Sequence, residues 1–137
     1  MLQITIVDYG SGNVLSAQQS FIKVTNDNKI EAKVLISKNL NDIKNSTHIV
    51  LPGQGAFSTC MSGLKNTPGL VEELYNFAII KQKPFLGICV GMQMLANNSE
   101  ENGFHKGLGW INGKIKPLPT ENLKMPHMGW NLVKPKN

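Results

Sequence analysis

Residues 84–95 read PFLGICVGMQML, and this stretch decides the fold. The apolar run at 84–89 is typical of a buried strand, and the residues after it carry apolar side chains at helical spacing. Gly87 and Gly91 leave room for a sharp turn between the two, which gives Cys89 the position of the reactive residue in a nucleophile elbow. This pattern alone leaves two roles open for Cys89, a small buried side chain and a nucleophile.

The rest of the chain alternates strands and helices in the same way. Strands are predicted at 4–8, 31–37 and 47–52, and helices from Val14, from about Pro68 and at 90–98, with a short helix or turn at 40–45. The first helix is indicated by three-to-four spacing of Val14, Leu15, Gln18, Phe21 and Ile22. The helix from Pro68 is expected to bury a stripe of Leu70, Leu74, Phe77 and Ala78. After Ser99 the chain becomes loop-like, with strands predicted at 111–119 and 125–133. This alternation predicts one α/β domain over residues 1–137, built on an open, mostly parallel, doubly wound sheet.

Composition narrows the function classes. The formal charge is +5, but all 14 basic residues are lysines spread singly along the chain, which argues against a nucleic-acid partner. No stretch is long and apolar enough to span a membrane, and the first residues do not resemble a signal peptide, so we expect a cytoplasmic protein without membrane contact. The two cysteines, Cys60 and Cys89, have no paired spacing, which predicts reduced thiols and no metal site.

Three glycine-rich turns follow predicted strands and should lie together at the carboxyl edge of the sheet, where ligands bind in such folds. They read YGSGN at 9–13, PGQGAF at 52–57 and GICVG at 87–91. Gly53 and Gly55 would let a peptide turn its N–H inward, and the N–H of Val90 follows the cysteine directly. Together these donors suit an oxyanion hole beside Cys89, which favours the nucleophile over the packing role.

The first turn does not match a nucleotide-binding loop. Gly10 and Gly12 lack the third glycine of the dinucleotide fingerprint, and no acidic residue stands where a ribose would need it. We predict no cofactor, and a flavin-binding role is a weak alternative. Asn13 is expected to cap the first helix at least as readily as it serves a direct role.

These motifs, with VLPGQGAF at 50–57, VDYGSGN at 7–13 and KMPHMGWN at 124–131, resemble the class I (triad-type) glutamine amidotransferase family. The resemblance extends over essentially the whole chain and implies a flavodoxin-like sheet. It is nearest to the glutaminase subunits of imidazole glycerol phosphate synthases, because PHMGWN separates this group from its relatives.

The resemblance implies that Cys89 attacks the side-chain amide of glutamine and forms a thioester, while Gln93 contacts the substrate. The peptides of Gly53, Gln54 and Gly55, with the N–H of Val90, would form the oxyanion hole. The partner would be a (β/α)₈ barrel cyclase that receives the ammonia in a heterodimer and makes imidazole glycerol phosphate in histidine biosynthesis. The residues expected to face that partner are Asn13, His127, Trp130 and Asn131.

The pattern also departs from the family. No His-x-Glu or His-x-Asp pair follows Cys89, so the histidine and carboxylate of the triad are absent, and we expect the chain to be the N-terminal portion of a longer subunit and inactive alone. Gln54 stands where the family often has an apolar residue. His127 is a poor candidate for the base, and His48 and His105 are expected to be structural and solvated, respectively. Two alternatives remain open, a paralogue that supplies ammonia to another synthase and a non-catalytic module that binds a partner.

Overall fold

The computed structural model describes residues 1–136 and contains a four-stranded parallel sheet. Its strands lie in the order β2-β1-β3-β4. They are β1 (Leu2–Val7), β2 (Ala32–Ser37), β3 (His48–Gly53) and β4 (Phe85–Cys89). All four were predicted to within two residues at either end, because each is a short apolar run bounded by polar or turn-forming residues. The predicted α/β class with a parallel sheet is confirmed.

Helices cover the two faces of this sheet unequally. Helix α1 (Val14–Asp27) packs on one face, against Ile4 and Ile6 of β1 and Val50 of β3. The other face, which carries Val7, Ile49 and Leu51, is covered by three helices. These are α2 (Leu40–Asn45), α3 (Phe57–Lys65) and α4 (Leu70–Tyr75), and α4 continues into a π-helical turn, Asn76–Ile80. Side chains alternate between the faces as the period of a strand requires.

The α1 face of β4 is left open. Leu86 and Ile88 point to the same side as Val50 by strand register, and both are substantially exposed. The opposite face, by contrast, buries its largest side chains completely, including Phe57, Leu64, Leu74 and Phe77. The open strip places an accessible groove beside the carboxyl end of β4.

The predicted helix at 90–98 was wrong beyond its first turn. Helix α5 spans only Val90–Gln93, and a second, three-stranded sheet begins at β5 (Ala96–Ser99) and adds β6 (His105–Lys106) and β7 (Ile111–Ile115). The carbonyls of residues 94–97 accept hydrogen bonds from the N–H groups of residues 107–111 instead of from a following helical turn. A side chain at Gly107 would lie 2.2 Å from the carbonyl oxygen of Ala96, so this pairing requires glycine.

Other boundaries also differ from prediction. The helix expected from Pro68 begins at Leu70, because Gly69 takes a left-handed conformation with φ +74° at the N-cap. Ala78 is only partly buried, so it does not belong to the buried stripe formed by Leu70, Leu74 and Phe77. The strand predicted at 111–119 ends at Ile115, and none forms at 125–133. Prolines 117, 119 and 126 lack the N–H that a strand ladder needs.

None of the helices within residues 1–136 is long and apolar enough to cross a membrane.

Candidate functional site: the Cys89 elbow and its surroundings

Cys89 lies at a strained turn between β4 and α5. Its backbone has φ +56° and ψ −121°, a conformation that non-glycine residues rarely adopt. The strand enters the turn at Cys89 and the helix begins at Val90, so one residue reverses the chain and its thiol is exposed. This is the geometry of a nucleophile elbow, and it contradicts a buried packing role for Cys89.

Three glycines make the turn possible. A Cβ atom at Gly91 would lie 1.9 Å from the carbonyl oxygen of Leu51, and one at Gly87 would lie 2.6 Å from the Cα of Met92. A Cβ atom at Gly53 would meet the nitrogen of Gly91 at 2.4 Å. The backbones of β3, β4 and α5 therefore approach so closely that only glycine fits at these positions.

The predicted oxyanion residues lie beside the thiol. Gly53 is the strand partner of Cys89, and the exposed residues Gln54 and Gly55 follow it directly. Gly55 has φ +87°. Val90 is the first residue of α5, so its N–H has no acceptor within that helix. Because α5 is a single turn, its dipole gives less support to a thiolate than the longer predicted helix would.

A groove of about 470 Å³ runs from the elbow across the open face of β4. Cys89, Ile88 and the end of β3 form one side, and α1 forms the other. Asn13 lies in this groove and also caps α1, where its Oδ1 accepts a hydrogen bond of 3.1 Å from the N–H of Ser16. The capping role expected for Asn13 is confirmed.

Side chains from two other elements hold the loop at 52–55. The Tyr9 hydroxyl donates to the Pro52 carbonyl at 2.6 Å, and the Ser11 hydroxyl donates to the Gln54 carbonyl at 2.9 Å. The Cys60 thiol lies 3.3 Å from the same Gln54 oxygen and 3.1 Å from Ser11 Oγ. Burial raises the pKa of the Tyr9 hydroxyl well above its ordinary value, and nearby Cys60 raises it further, so Tyr9 stays a donor.

Sequence reasoning missed this cluster, because it missed α3. The signal was present, since Phe57, Cys60, Met61 and Leu64 follow the spacing of one helical face and all four are buried. The start of the same helix carries a further contact that was not predicted. The backbone N–H of Phe57 donates to Glu101 Oε2 at 2.7 Å, so a carboxylate from the loop after β5 caps α3 next to the loop at 52–55.

Gln93 is placed apart from the Cys89 groove. It lies at the end of α5 and lines a smaller groove of about 250 Å³ with Ile111 and Lys114 of the second sheet. Its substrate contact stays a prediction.

The remaining predicted residues lie outside the elbow. His127, Trp130 and Asn131 belong to a segment without helix or strand, in which Trp130 is fully exposed. Asn131 Nδ2 lies 3.5 Å from His127 Nε2. His48 begins β3, at the opposite end of that strand from Gly53, and His105 contacts the Asn102 carbonyl. Within residues 1–136, no histidine lines the Cys89 groove.

Comparison with known proteins identifies the family. The family described as "Glutamine amidotransferase class-I" matches this chain over residues 5–136. The chain belongs to the class-I glutamine amidotransferase family. The match includes the three glycine-rich turns and the segment with Trp130, so it takes in every candidate site residue named above.

Three relatives of this amidotransferase carry the name imidazole glycerol phosphate synthase subunit HisH. The protein of Rhodospirillum rubrum is 41% identical over 132 residues, which is 95% of this chain and 62% of the relative. That of Pelagibacter ubique is 45% identical over 96% of this chain and 63% of its own length. That of Zymomonas mobilis is 42% identical over 95% of this chain and 61% of its own length. The chain thus spans a little over three-fifths of the length of these relatives.

Proposed function

We propose that this amidotransferase chain carries the nucleophile of a glutaminase subunit. Cys89 as thiolate attacks the side-chain amide carbon of glutamine, and the C–N bond breaks to release ammonia and leave a glutamyl thioester. Water then cleaves the C–S bond, which gives glutamate and restores the thiol. The observation that carries this proposal is the exposed Cys89 thiol at a positive-φ elbow, paired with the Gly53–Gly55 loop.

The negative charge on the tetrahedral intermediate would be stabilised by backbone donors. Val90 supplies one N–H at the start of α5, and the loop of Gly53, Gln54 and Gly55 supplies the other. Proton transfer needs a histidine oriented by a carboxylate, as the family resemblance implies. The 137 residues contain no such pair after Cys89, so we propose that the full-length subunit provides it and that this chain alone is inactive.

The partner proposed for the ammonia is a (β/α)₈ barrel cyclase of imidazole glycerol phosphate synthesis, in the histidine pathway. Two observations support a protein partner of that kind. The relatives are named as subunits of that synthase, and the segment at 125–133 displays Met128, Trp130 and Leu132 almost completely to solvent. We place His127, Trp130 and Asn131 in this interface, with Asn13 at its edge near the groove.

The first test is covalent labelling of the full-length subunit, bound to its barrel partner, by an electrophilic glutamine analogue. We expect one adduct, located at Cys89 by peptide mass, and none in Cys89→Ala. Cys60 is an internal control, since it is completely buried and should remain unlabelled. An unlabelled Cys89 in the complex would refute the proposal. Glutamate release that ignores the barrel's ribotide ligand would instead indicate a paralogue serving another synthase.

A further inference from the structure

Asparagine followed by glycine occurs twice in the chain, at Asn102–Gly103 and at Asn112–Gly113. Such a pair can modify itself, because the backbone nitrogen of the glycine can attack the side-chain amide carbon of the asparagine and close a cyclic imide. Glycine carries no side chain that would obstruct this approach. All four residues are exposed to solvent, yet the structure places the two pairs in very different backbones.

The first pair lies in the turn between β5 and β6. Asn102 has φ +51° and Gly103 has φ +108°, so neither residue has the extended backbone of a strand. Within residues 1–136, neither the N–H of Gly103 nor the side-chain amide of Asn102 has a hydrogen-bond partner. The two groups that must react with each other are therefore free to approach.

The second pair is held in place. Asn112 and Gly113 belong to β7, which pairs with β5 on both sides of them, at Ile111 and at Lys114. Asn112 Oδ1 also accepts a hydrogen bond of 2.8 Å from Asn97 Nδ2. Ring closure at this pair requires the loss of that hydrogen bond and a local opening of the sheet.

His105 supplies a hydrogen-bond donor to the first pair. Its Nε2 lies 3.2 Å from the Asn102 carbonyl oxygen and 3.8 Å from the position that a Cβ on Gly103 would take, so the ring lies against the peptide that joins these residues. A carbonyl cannot donate, so Nε2 carries the proton in this contact. The backbone of His105 is fixed, because it begins β6 and pairs with the completely buried Ser99 of β5.

A donor at this carbonyl assists the attack. The nucleophile is the Gly103 nitrogen after it has lost its proton to water or hydroxide, and the resulting negative charge is shared with the Asn102 carbonyl oxygen. A hydrogen bond from His105 to that oxygen stabilises the anion in the way that an oxyanion donor does. The His105 side chain has two rotatable bonds, so its ring can follow the carbonyl as the peptide turns toward the amide.

We propose that Asn102 is a site of spontaneous deamidation and that His105 accelerates the reaction. The deprotonated Gly103 nitrogen forms a bond to Cγ of Asn102, the Cγ–Nδ2 bond breaks, and Nδ2 takes one proton from water and leaves as ammonia. Water then opens the cyclic imide at either carbonyl, which leaves aspartate or isoaspartate at position 102. The reaction needs only the turn and His105, so it is independent of the glutaminase function proposed above.

The modification changes a turn that touches the candidate functional site. Glu101, the residue before Asn102, accepts the N–H of Phe57 at the start of α3. Deamidation adds a negative charge next to this carboxylate, and isoaspartate also adds one carbon to the backbone of the turn.

The test follows the full-length subunit during incubation at neutral pH. Peptide masses after proteolysis give the converted fraction at each asparagine, and enzymatic methylation of isoaspartate counts that product separately. We expect conversion at Asn102 to be at least about tenfold faster than at Asn112, because the sheet must open before the second pair can react. Short synthetic peptides with the sequences of residues 99–106 and 109–116 are the unfolded control and should convert at similar rates.

Variants at His105 test the donor. His105→Phe keeps a ring without a donor and should slow conversion at Asn102 about fivefold, the effect of one hydrogen bond. His105→Gln, whose amide can donate, should restore most of the wild-type rate. His127→Phe is the matched control, because His127 contacts Asn131 and not the turn, and it should leave the rate unchanged.

Two kinds of result would overturn the proposal. Equal conversion of Asn102 and Asn112 in the folded subunit, or the same ratio of rates in the two peptides, would show that the turn confers no reactivity. An unchanged or faster reaction in His105→Phe, or a slow reaction that His105→Gln does not restore, would show that His105 does not act through its N–H.

Discussion

The Cys89 elbow and the Gln54 loop meet at the same edge of the sheet but are fixed by opposite means. The elbow is fixed by exclusion, since side chains at Gly53, Gly87 or Gly91 would overlap backbone atoms of neighbouring elements. The loop is fixed by attraction, through hydrogen bonds from Tyr9 and Ser11 and a contact with the Cys60 thiol. The elbow depends on the absence of side chains at these glycines, and the loop depends on hydrogen bonds from neighbouring side chains.

This difference predicts different responses to change. Steric repulsion rises steeply as two atoms come closer than van der Waals contact, so the elbow should tolerate no added carbon and should have one conformation. Hydrogen bonds of the loop contribute about 1 kcal/mol each and can be exchanged for other partners. The elbow therefore holds the Cys89 thiol in a rigid position, while the loop beside it can be adjusted by the elements around it.

The largest effect is expected for Gly91→Ala. The new methyl group would lie 1.9 Å from the Leu51 carbonyl oxygen, and relief of that overlap must separate β3 from α5. We expect the free energy of unfolding to fall by about 4 kcal/mol or more, at the exceptional end for one substitution. Urea unfolding followed by circular dichroism measures it.

The control for this variant is Gly10→Ala. Gly10 has a positive φ of +89°, which Gly91 does not, but no heavy atom lies within 4 Å of the carbon added at Gly10. Gly10→Ala should therefore lower the free energy of unfolding only by the cost of a left-handed backbone at alanine, about 1 kcal/mol. Equal losses in the two variants would show that steric exclusion does not dominate at the elbow.

The sequence was sufficient to predict the elbow because every feature of it is local. A strand, two glycines and a cysteine lie within seven residues, and the four parallel strands are apolar runs that their turns delimit. The second sheet was not predicted because its first strand depends on partners that are distant in the sequence. Ala96–Ser99 continues a helix-like pattern, and only hydrogen bonds from residues 107–111 make it a strand.

The contacts of Ser11 and Cys60 with the Gln54 carbonyl could not be predicted from local pattern either. Ser11 and Cys60 are 49 residues apart, and the pair meets only because β1 and β3 are neighbours and α3 packs beneath them. The apolar spacing from Phe57 to Leu64 could have revealed the helix. It could not have shown that one of its buried residues faces a carbonyl, because that depends on how the Gln54 peptide is turned.

An intermediate effect is expected for Tyr9→Phe, and it depends on pH. The raised pKa of Tyr9 means that the folded state keeps the proton after the unfolded state begins to lose it, near pH 10. The stability gained from the neutral hydroxyl is therefore complete below pH 10 and declines as the pH rises above it, by up to about 1.4 kcal/mol per pH unit.

Tyr9→Phe should cost about 1 kcal/mol at neutral pH, through loss of the hydrogen bond to Pro52, and should weaken the alkaline decline. Urea unfolding at several pH values between 8 and 11 measures both. The exposed Tyr75 provides the matched control, since Tyr75→Phe should leave the decline unchanged. A decline of equal slope in wild type and Tyr9→Phe would show that Tyr9 is not its source.

The smallest effect has the opposite sign and concerns Cys89 itself. A non-glycine residue at φ +56° and ψ −121° stores about 1–3 kcal/mol of backbone strain, whereas glycine adopts that conformation freely but loses about 0.5–1 kcal/mol through greater freedom in the unfolded state. Cys89→Gly should therefore stabilise the protein by about 1 kcal/mol while removing the thiol. Cys89→Ala, which keeps the Cβ and the strain, should leave stability near the wild-type value.

A gain in Cys89→Gly but not in Cys89→Ala, measured by thermal and urea unfolding, would show that the thiol is kept at a cost to the stability of the fold. A Cys89→Gly variant less stable than Cys89→Ala by about 0.5–1 kcal/mol would mean that the elbow is unstrained and that its glycines alone determine its shape.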